Sequence, residues 1–366
     1  MTAKHQQTMT LDEFLEEWKS ADDCITVHTS GSTGKPKALR VEKARMRASA
    51  VKTCSFLSLG RGDSALLCMP LDYIAGKMVV VRSIVSGMRL VSVAPSSHPL
   101  RDLDEPPTFA AMVPLQVYSS MQVPEELGML RRIRHLLIGG GAVDPDMERA
   151  LRHFPNAVWS TYGMTETLSH IALRRLSGDS ASDYYTPFEG VRLWQGDDGC
   201  LCVDAPDVCA LPLHTRDMVD FHPDGIRFRI VGRKDNVIVS GGIKIHIEEV
   251  EQLLTPHITR DFAVSKRPDH RLGEMVVLLI AVPEMFSGSV AGSSRSASRQ
   301  MVRLDERADE AAPAALRDEW SSIRKVLAAC LPRYWQPREI YAAPAVPHTA
   351  TGKIARAAVL SMVSQG

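Results

Sequence analysis

Nine residues near the start of the chain, Thr29-Ser-Gly-Ser-Thr-Gly-Lys-Pro-Lys37, have the composition that phosphate binding needs. Gly31 and Gly34 let the backbone turn several N–H groups onto one point. Thr29, Ser30, Ser32 and Thr33 add hydroxyl donors, and Lys35 and Lys37 add positive charge. The spacing is not that of the P-loop, G-x-x-x-x-G-K-[ST], because Gly31 and Gly34 stand too close and Pro36 follows the first lysine. Nor is it G-x-G-x-x-G. The same composition suits a solvated polar turn, so the loop nominates a phosphate site without fixing the reaction.

Such a loop works only if regular elements hold it. Thr10 and Glu13 form a capping-box pattern, and Leu11, Phe14, Leu15 and Trp18 repeat at helical spacing, which predicts a first helix. The apolar run from Ile25 to Val27 predicts a strand leading into the loop. Beyond it the patterns alternate, with helices expected over 43–57, 74–86, 115–121, 124–134 and 144–154. Strands are expected over 65–69, 89–93, 109–113, 135–138 and 158–160. The last two of these end in Gly139-Gly-Gly141 and in Thr161-Tyr-Gly-Met-Thr-Glu166. Alternation of this kind predicts a mostly parallel sheet with helices on its faces.

From Pro187 to Val231, short runs separated by Gly, Pro and Asp predict hairpins of a small β subdomain. Gly232-Arg-Lys-Asp235 marks a boundary. After it come a strand over 237–239, a helix over 247–254, strands over 262–265 and 275–282, and a helix over 318–330. Ser287 to Ser298 holds six Ser and two Gly, and 299–312 is densely charged, so 287–313 is expected to be a mobile surface insertion. The architecture read from these patterns is α/β. A large domain spans 1–231, with the β subdomain over 187–231, and a smaller α+β domain spans 236–366.

Composition removes several classes. With 366 residues, the chain is long enough for two or three domains and needs no disulfide or metal staple. Lys plus Arg equals Asp plus Glu at 43 each, so no dominant charge points to nucleic acid or an anionic membrane. Seven cysteines without C-x-x-C spacing read as reduced thiols of a cytoplasmic protein. Met1 to Thr10 is polar and shows no signal-peptide core, and the longest apolar runs are far too short for a membrane span.

The phosphate loop resembles the signature loop of the adenylate-forming enzymes, which include acyl-CoA synthetases, adenylation domains of peptide synthetases and luciferases. Other motifs of that family follow in order. Tyr162-Gly-Met-Thr-Glu166 resembles its aromatic-Gly-x-Thr-Glu motif, and His214-Thr-Arg-Asp217 its ribose-binding segment. Gly232-Arg-Lys-Asp235 followed by Val237 to Lys244 resembles its hinge region, and Thr351-Gly-Lys353 its C-terminal catalytic motif. The resemblance implies two half-reactions. A carboxylate attacks the α-phosphorus of ATP, expelling pyrophosphate and giving an acyl-adenylate; a thiol, usually that of coenzyme A, then takes the acyl group. Both partners in the first step are anions, so the site must neutralise charge and fix geometry.

By the same resemblance, Thr29, Ser30, Ser32, Thr33 and Lys37, with Gly31 and Gly34, would cradle the β and γ phosphates. Thr165 would bond the α-phosphate and Glu166 would hold Mg²⁺. Tyr162 would stack on adenine, and Gly139, Gly140 and Gly141 would bring backbone against the base. Asp217 and Arg233 would grip the ribose. Lys353 would meet the charge developing between carboxylate and α-phosphate. Asp235 would be the hinge about which the small, mobile domain rotates between half-reactions, with Gly241 and Gly242 lining the thiol's path. Most relatives carry a larger segment before the phosphate loop than the 28 residues present here, so the acid pocket is expected to be more open or completed by another chain.

The stretch from Met69 to Lys77, with Arg82 beyond it, resembles the Leu-Pro-Leu-Phe-His-x-Ser-Gly segment of the o-succinylbenzoate–CoA ligases of menaquinone synthesis. Tyr73 stands where those enzymes have His. An Arg inside an apolar stretch needs an anion, and Arg82 would pair with the second carboxylate of an aromatic dicarboxylic acid or with a structural Asp or Glu. Expected partners are therefore a small carboxylic acid, ATP and CoA, with no nucleic acid or membrane and with room for a homodimer. Two other readings stay open. Asp72 could hold the ammonium of an amino acid in a free-standing adenylating enzyme, or the chain could be a nucleotide-binding relative without catalysis.

Overall fold

A computed structural model describes residues 9–28, 38–141, 143–286, 301–304, 314–349 and 352–365. The chain divides into two compact units. The first comprises Met1–Thr215 with Asp220–Arg229, the second Arg216–Val219 with Ile230–Gly366. The sequence pattern places the boundary at 231/232. In the structure two short segments, 216–219 and 230–231, go with the second unit, where ion pairs tie Arg216 to Asp235 and Asp217 to Arg233.

The first unit opens with helix α1 (Leu11–Lys19), whose expected capping box is present: Thr10 Oγ1 accepts from the Glu13 amide and the Glu13 carboxylate accepts from the Thr10 amide. Its Phe14 and Trp18 are buried. Strands β1 (Cys24–His28) and β2 (Ala38–Glu42) pair antiparallel with His28 opposite Ala38, so residues 29–37 connect the two strands in the chain.

The main sheet follows. It uses β3 (Ser64–Leu67), β4 (Arg89–Ser92), β5 (Phe109–Met112), β6 (His135–Ile138), β7 (Ala157–Gly163), β8 (His170–Arg175) and β9 (Thr186–Pro187) in the order β4-β3-β5-β6-β7-β8-β9. The pairs from β4 to β7 are parallel, and the last two are antiparallel. Strand β3, flanked by β4 and β5, is buried at every position, as a strand covered on both faces must be.

Helices α2 (Lys43–Phe56), α3 (Ile74–Ser86), α4 (Pro114–Met121), α5 (Pro124–Leu130) and α6 (Pro145–Leu151) connect or cover these strands. The α6 start was legible: Asp144 Oδ1 accepts from the amides of Asp146 and Met147, and Pro145 occupies the first turn. Leu66, Ala110, Leu136, Ile138 and Val158 form the centre of one core. Strands β10 (Arg192–Gln195) and β11 (Cys200–Asp204) form a hairpin, and β12 (Leu213–Phe221) and β13 (Phe228–Arg233) follow, both crossing the unit boundary.

The second unit continues with β14 (Val237–Ser240), β15 (Ile243–His246), helix α7 (Ile247–Leu254), β16 (Phe262–Asp269), β17 (Gly273–Ala281), β18 (Val302–Arg303) and β19 (Glu339–Ala343). Its sheet runs β15-β14-β17-β19-β18, with β16 also paired to β17. Helix α7 buries Ile247, Val250 and Leu254, one stripe at helical spacing. The long helix Ala314–Cys330 adds Trp320, Ile323 and Leu327 to that core.

The expected surface insertion over 287–313 is corrected where it is described. Val302–Arg303 is an edge strand antiparallel to β19, and the next residue, Leu304, is buried in the core with its amide bonded to the Ile340 carbonyl. The charged residues around Val302 and Leu304 mask the two apolar positions that pin this segment to the sheet. Residues 287–300 and 305–313 lie outside the described residues. All seven cysteines are free thiols. Among the described residues, no helix is long and apolar enough to cross a membrane.

Candidate active site

In the first unit, parallel strands β3, β5, β6 and β7 end on one edge of the sheet. Their exits carry Met69 to Tyr73, Val113 to Gln116, Gly139 to Gly141 and Tyr162 to Glu166. Open α/β sheets bind ligands in the crevice outside these carboxyl ends. The Gly139 amide bonds the Met112 carbonyl at 3.0 Å, and a Cβ at Gly139 would fall 2.5 Å from Thr161 Oγ1, so any larger residue would have to displace the Thr161 side chain where β6 leaves beside β7. Gly140 adopts φ 79°, and Gly141 completes the turn.

Tyr162 lies on β7, one strand position before Gly163. Its ring is buried and packs edge-on to Phe228 at 5.3 Å, with Tyr185 at 5.9 Å. Thr165 and Glu166 lie in a single 3₁₀ turn, Thr165–Thr167. The turn is tied internally: the Met164 amide donates to Thr167 Oγ1 at 3.0 Å, and the Leu168 amide to the Thr165 carbonyl at 2.9 Å. Glu166 is exposed and pairs with no described cation. Among the described residues no cluster of three or more His, Cys, Asp or Glu could cage a metal. A lone exposed carboxylate nonetheless suits Mg²⁺, which takes one or two protein oxygens and completes its shell with phosphates and water.

Arg82 is 2% exposed on α3. One guanidinium nitrogen, Nη2, donates to Ser169 Oγ at 2.5 Å, while Nε has no partner among the described residues. No described carboxylate lies within ion-pair distance. Burial pushes the guanidinium down to about 10, opposed by Cys54, so it stays charged at neutral pH. Tyr73 sits at the opposite end of the helix as its N-cap and is 40% exposed. Nine helical residues amount to about 13 Å and two and a half turns, so Tyr73 and Arg82 face opposite sides. The structure does not bring them together. Asp72 Oδ1 accepts the Met9 amide at 3.3 Å, and its charge supports the buried Lys77 ammonium, which burial otherwise pulls down.

Residues Thr29, Ser30, Gly31, Ser32, Thr33, Gly34 and Lys37 lie outside the described residues.

In the second unit, Arg233 Nη1 donates to Asp217 Oδ1 at 3.0 Å and Nη2 to Asp235 Oδ2 at 3.4 Å. Arg216 Nη1 donates to the other oxygen of Asp235 at 2.5 Å. The two arginines outweigh partial burial and hold the Asp235 carboxyl below its ordinary range. Arg216, a residue the sequence reading did not single out, therefore clamps the expected hinge. Lys353 lies in a tight turn closed by Thr349 N to Lys353 O at 2.7 Å, with Gly352 at φ 79°. Its side chain is exposed, but crowding at the ammonium, then Arg233, lowers its proton affinity, with Asp217 opposing. Asp217, Arg233, Asp235 and Lys353 thus form one electrostatic group.

Comparison with known proteins gives concordant likenesses. The family model described as AMP-binding enzyme matches residues 2–198. A probable 2-succinylbenzoate–CoA ligase of Mycobacterium tuberculosis (strain CDC 1551) is 28% identical, covering 93% of this chain and 84% of the relative. The crystal structure of an acyl-CoA synthetase (AMP-forming)/AMP-acid ligase II-like protein from Dyadobacter fermentans is 32% identical with a TM-score of 0.59, over 96% of this chain and 93% of that one. For the fold alone, o-succinylbenzoate CoA synthetase from Bacillus subtilis with its acyl-adenylate matches at TM-score 0.68 and 22% identity, over 91% of this chain and 68% of that one.

Proposed function

The chain belongs to the AMP-binding enzyme family, and from that membership we propose that it joins an aromatic dicarboxylic acid of the 2-succinylbenzoate type to the thiol of coenzyme A in menaquinone synthesis. ATP is consumed to AMP and pyrophosphate through an acyl-adenylate. The observation that carries the choice of acid is Arg82. A buried guanidinium without a carboxylate partner is costly unless an anion joins it. A dicarboxylic acid supplies that anion, one carboxylate reacting with ATP and the other meeting Arg82.

The remaining roles follow the same reading. Thr165 bonds the α-phosphate and Glu166 holds Mg²⁺, which when bound would neutralise phosphate charge. Gly139 to Gly141 and Tyr162 border the base. Asp217 and Arg233 take the ribose, and residues 29–37 take the outer phosphates. Lys353 stabilises the charge that develops as the carboxylate attacks. Asp235 is the pivot between the adenylating and thioester-forming arrangements.

Amino-acid activation is less well supported. It rests on Asp72, whose carboxylate already accepts the Met9 amide and offsets Lys77. ATP–pyrophosphate exchange across aryl acids, fatty acids and amino acids tests the reading. Exchange should be strongest with aryl dicarboxylates, and a preference for amino acids would overturn it.

A further inference from the structure

We propose that His170 is a positioning residue for the adenylation step, the middle member of a one-way hydrogen-bond line that fixes the turn bearing Thr165 and Glu166. The inference rests on the roles given above to those two residues.

The direction of the line is set by what each group can donate. Arg82 has only donors, so Ser169 Oγ must accept from it, at 2.5 Å. Thr53 Oγ1 donates its proton to the Ser49 carbonyl, one helical turn back on α2, at 3.3 Å. Its oxygen is then left to accept, so His170 Nε2 carries a proton and donates to it at 3.0 Å. On the neutral imidazole Nδ1 is then an acceptor, and the Ser169 hydroxyl, 3.3 Å away, donates to it. Burial and the nearby Arg82 charge both keep the imidazole neutral. Every proton has one place to go, and the line ties α3, β8 and α2 together.

The turn needs such a tie. Leu168, buried and branched, sits at φ 65°, a strained conformation that persists only when its surroundings enforce it. A Cβ at Gly163 would collide with the Ser169 carbonyl, so entry and exit of the turn lie against each other. Fixing Ser169 and His170 thus fixes where Thr165 and Glu166 stand. Of the residues assigned to substrate, His170 meets Arg82, which it reaches through Ser169.

Two substitutions separate positioning from packing. His170→Phe keeps the ring that packs edge-on to Phe188 but breaks the line. His170→Asn loses the ring but places an amide at the Nδ1 position facing Ser169. Positioning predicts that Asn retains more of the kcat for ATP–pyrophosphate exchange, with Phe about tenfold or more below wild type and KM for the acid changed far less. Phe equal to or better than Asn would overturn the proposal.

Exchange is measured with whichever acid supports it best, so failure of the 2-succinylbenzoate assignment leaves this ranking readable. If no acid supports exchange, the proposed reaction fails, and the ranking is read from calorimetric affinity for Mg²⁺–ATP. Nitrogen-15 spectra of the wild-type protein should show a protonated Nε2 and an unprotonated Nδ1 at neutral pH. The opposite tautomer would also overturn the proposal.

Discussion

The Arg356 guanidinium forks onto the Glu251 carboxylate, with Nη1 2.6 Å from Oε1 and Nη2 2.5 Å from Oε2. The pair joins the start of the terminal helix Arg356–Gln365 to α7, and Glu251 Oε1 also accepts the Val264 amide at 2.8 Å. Lys353 lies three residues before Arg356, so the fork anchors the turn that presents it. Glu251→Ala should destabilise the second unit by about 2–3 kcal/mol, the cost of stranding a largely buried charged donor. It should also lower adenylation more than thioester formation from a supplied adenylate. Equal effects on both steps would detach the fork from Lys353.

Lys353 itself gives a sharper separation. Lys353→Ala should reduce adenylate formation at least about 100-fold, the scale of removing one preorganised charge from a transition state. Thioester formation from a supplied adenylate should be spared. The pH profile carries the second readout. The ammonium's proton affinity is lowered from the ordinary lysine value by crowding around it and then by Arg233, so it deprotonates at a lower pH than a free lysine. Adenylation should fall on the alkaline side as pH rises through that lowered value. Lys353→Arg stays charged and should lose this limb; an identical limb in both proteins would assign it elsewhere.

Much of this arrangement was legible because strand exits and turns are local. The apolar runs 65–69, 109–113 and 135–138 gave the sheet, and the glycines after them marked its edge. The Asp144 cap and the capping box at Thr10 are contacts within four residues, which spacing can show. The strand at 158–160 was shorter in sequence than in structure. β7 runs on through Tyr162 and Gly163 because it finds β8 as a partner, and pairing with a strand not yet recognised cannot be seen from one run. The same limit hid Thr53, which meets His170 across 117 positions of chain, and Arg216, which meets Asp235 across 19. Buried polar contacts of this kind are set by topology, and their residue types look ordinary until the fold brings them together.

Arg82 predicts substrate choice. Arg82→Ala should raise KM for an aryl dicarboxylic acid about 30-fold or more relative to the matching monocarboxylic acid, the loss expected on truncating one side of a buried charge pair. Because Ser169 loses its donor as well, kcat should fall for both acids. The ratio of the two KM values is therefore the decisive number. A ratio that matches wild type would remove Arg82 from the acid pocket and leave it a structural cation.

His135 predicts how the first unit responds to acid. Burial, then Arg134 and Arg175, lower its imidazole from the ordinary 6.5 to about 4, against the weaker pull of Asp63. Its Nδ1 is buried with no hydrogen-bond partner among the described residues, so an N–H formed there would find no described acceptor. Between pH 6.5 and about 4 the unfolded chain binds that proton and the folded chain does not. Unfolding free energy must then fall as pH falls across this window, and the contribution is fully present above it. His170, buried and neutral, acts in the same direction. Urea unfolding at intervals from pH 7 to about pH 4 should show the decline, and His135→Gln, which cannot titrate, should flatten part of it. If His135→Gln follows the wild-type slope throughout, the acid sensitivity belongs to His170 and the carboxylates, and His135 is solvated in the folded state.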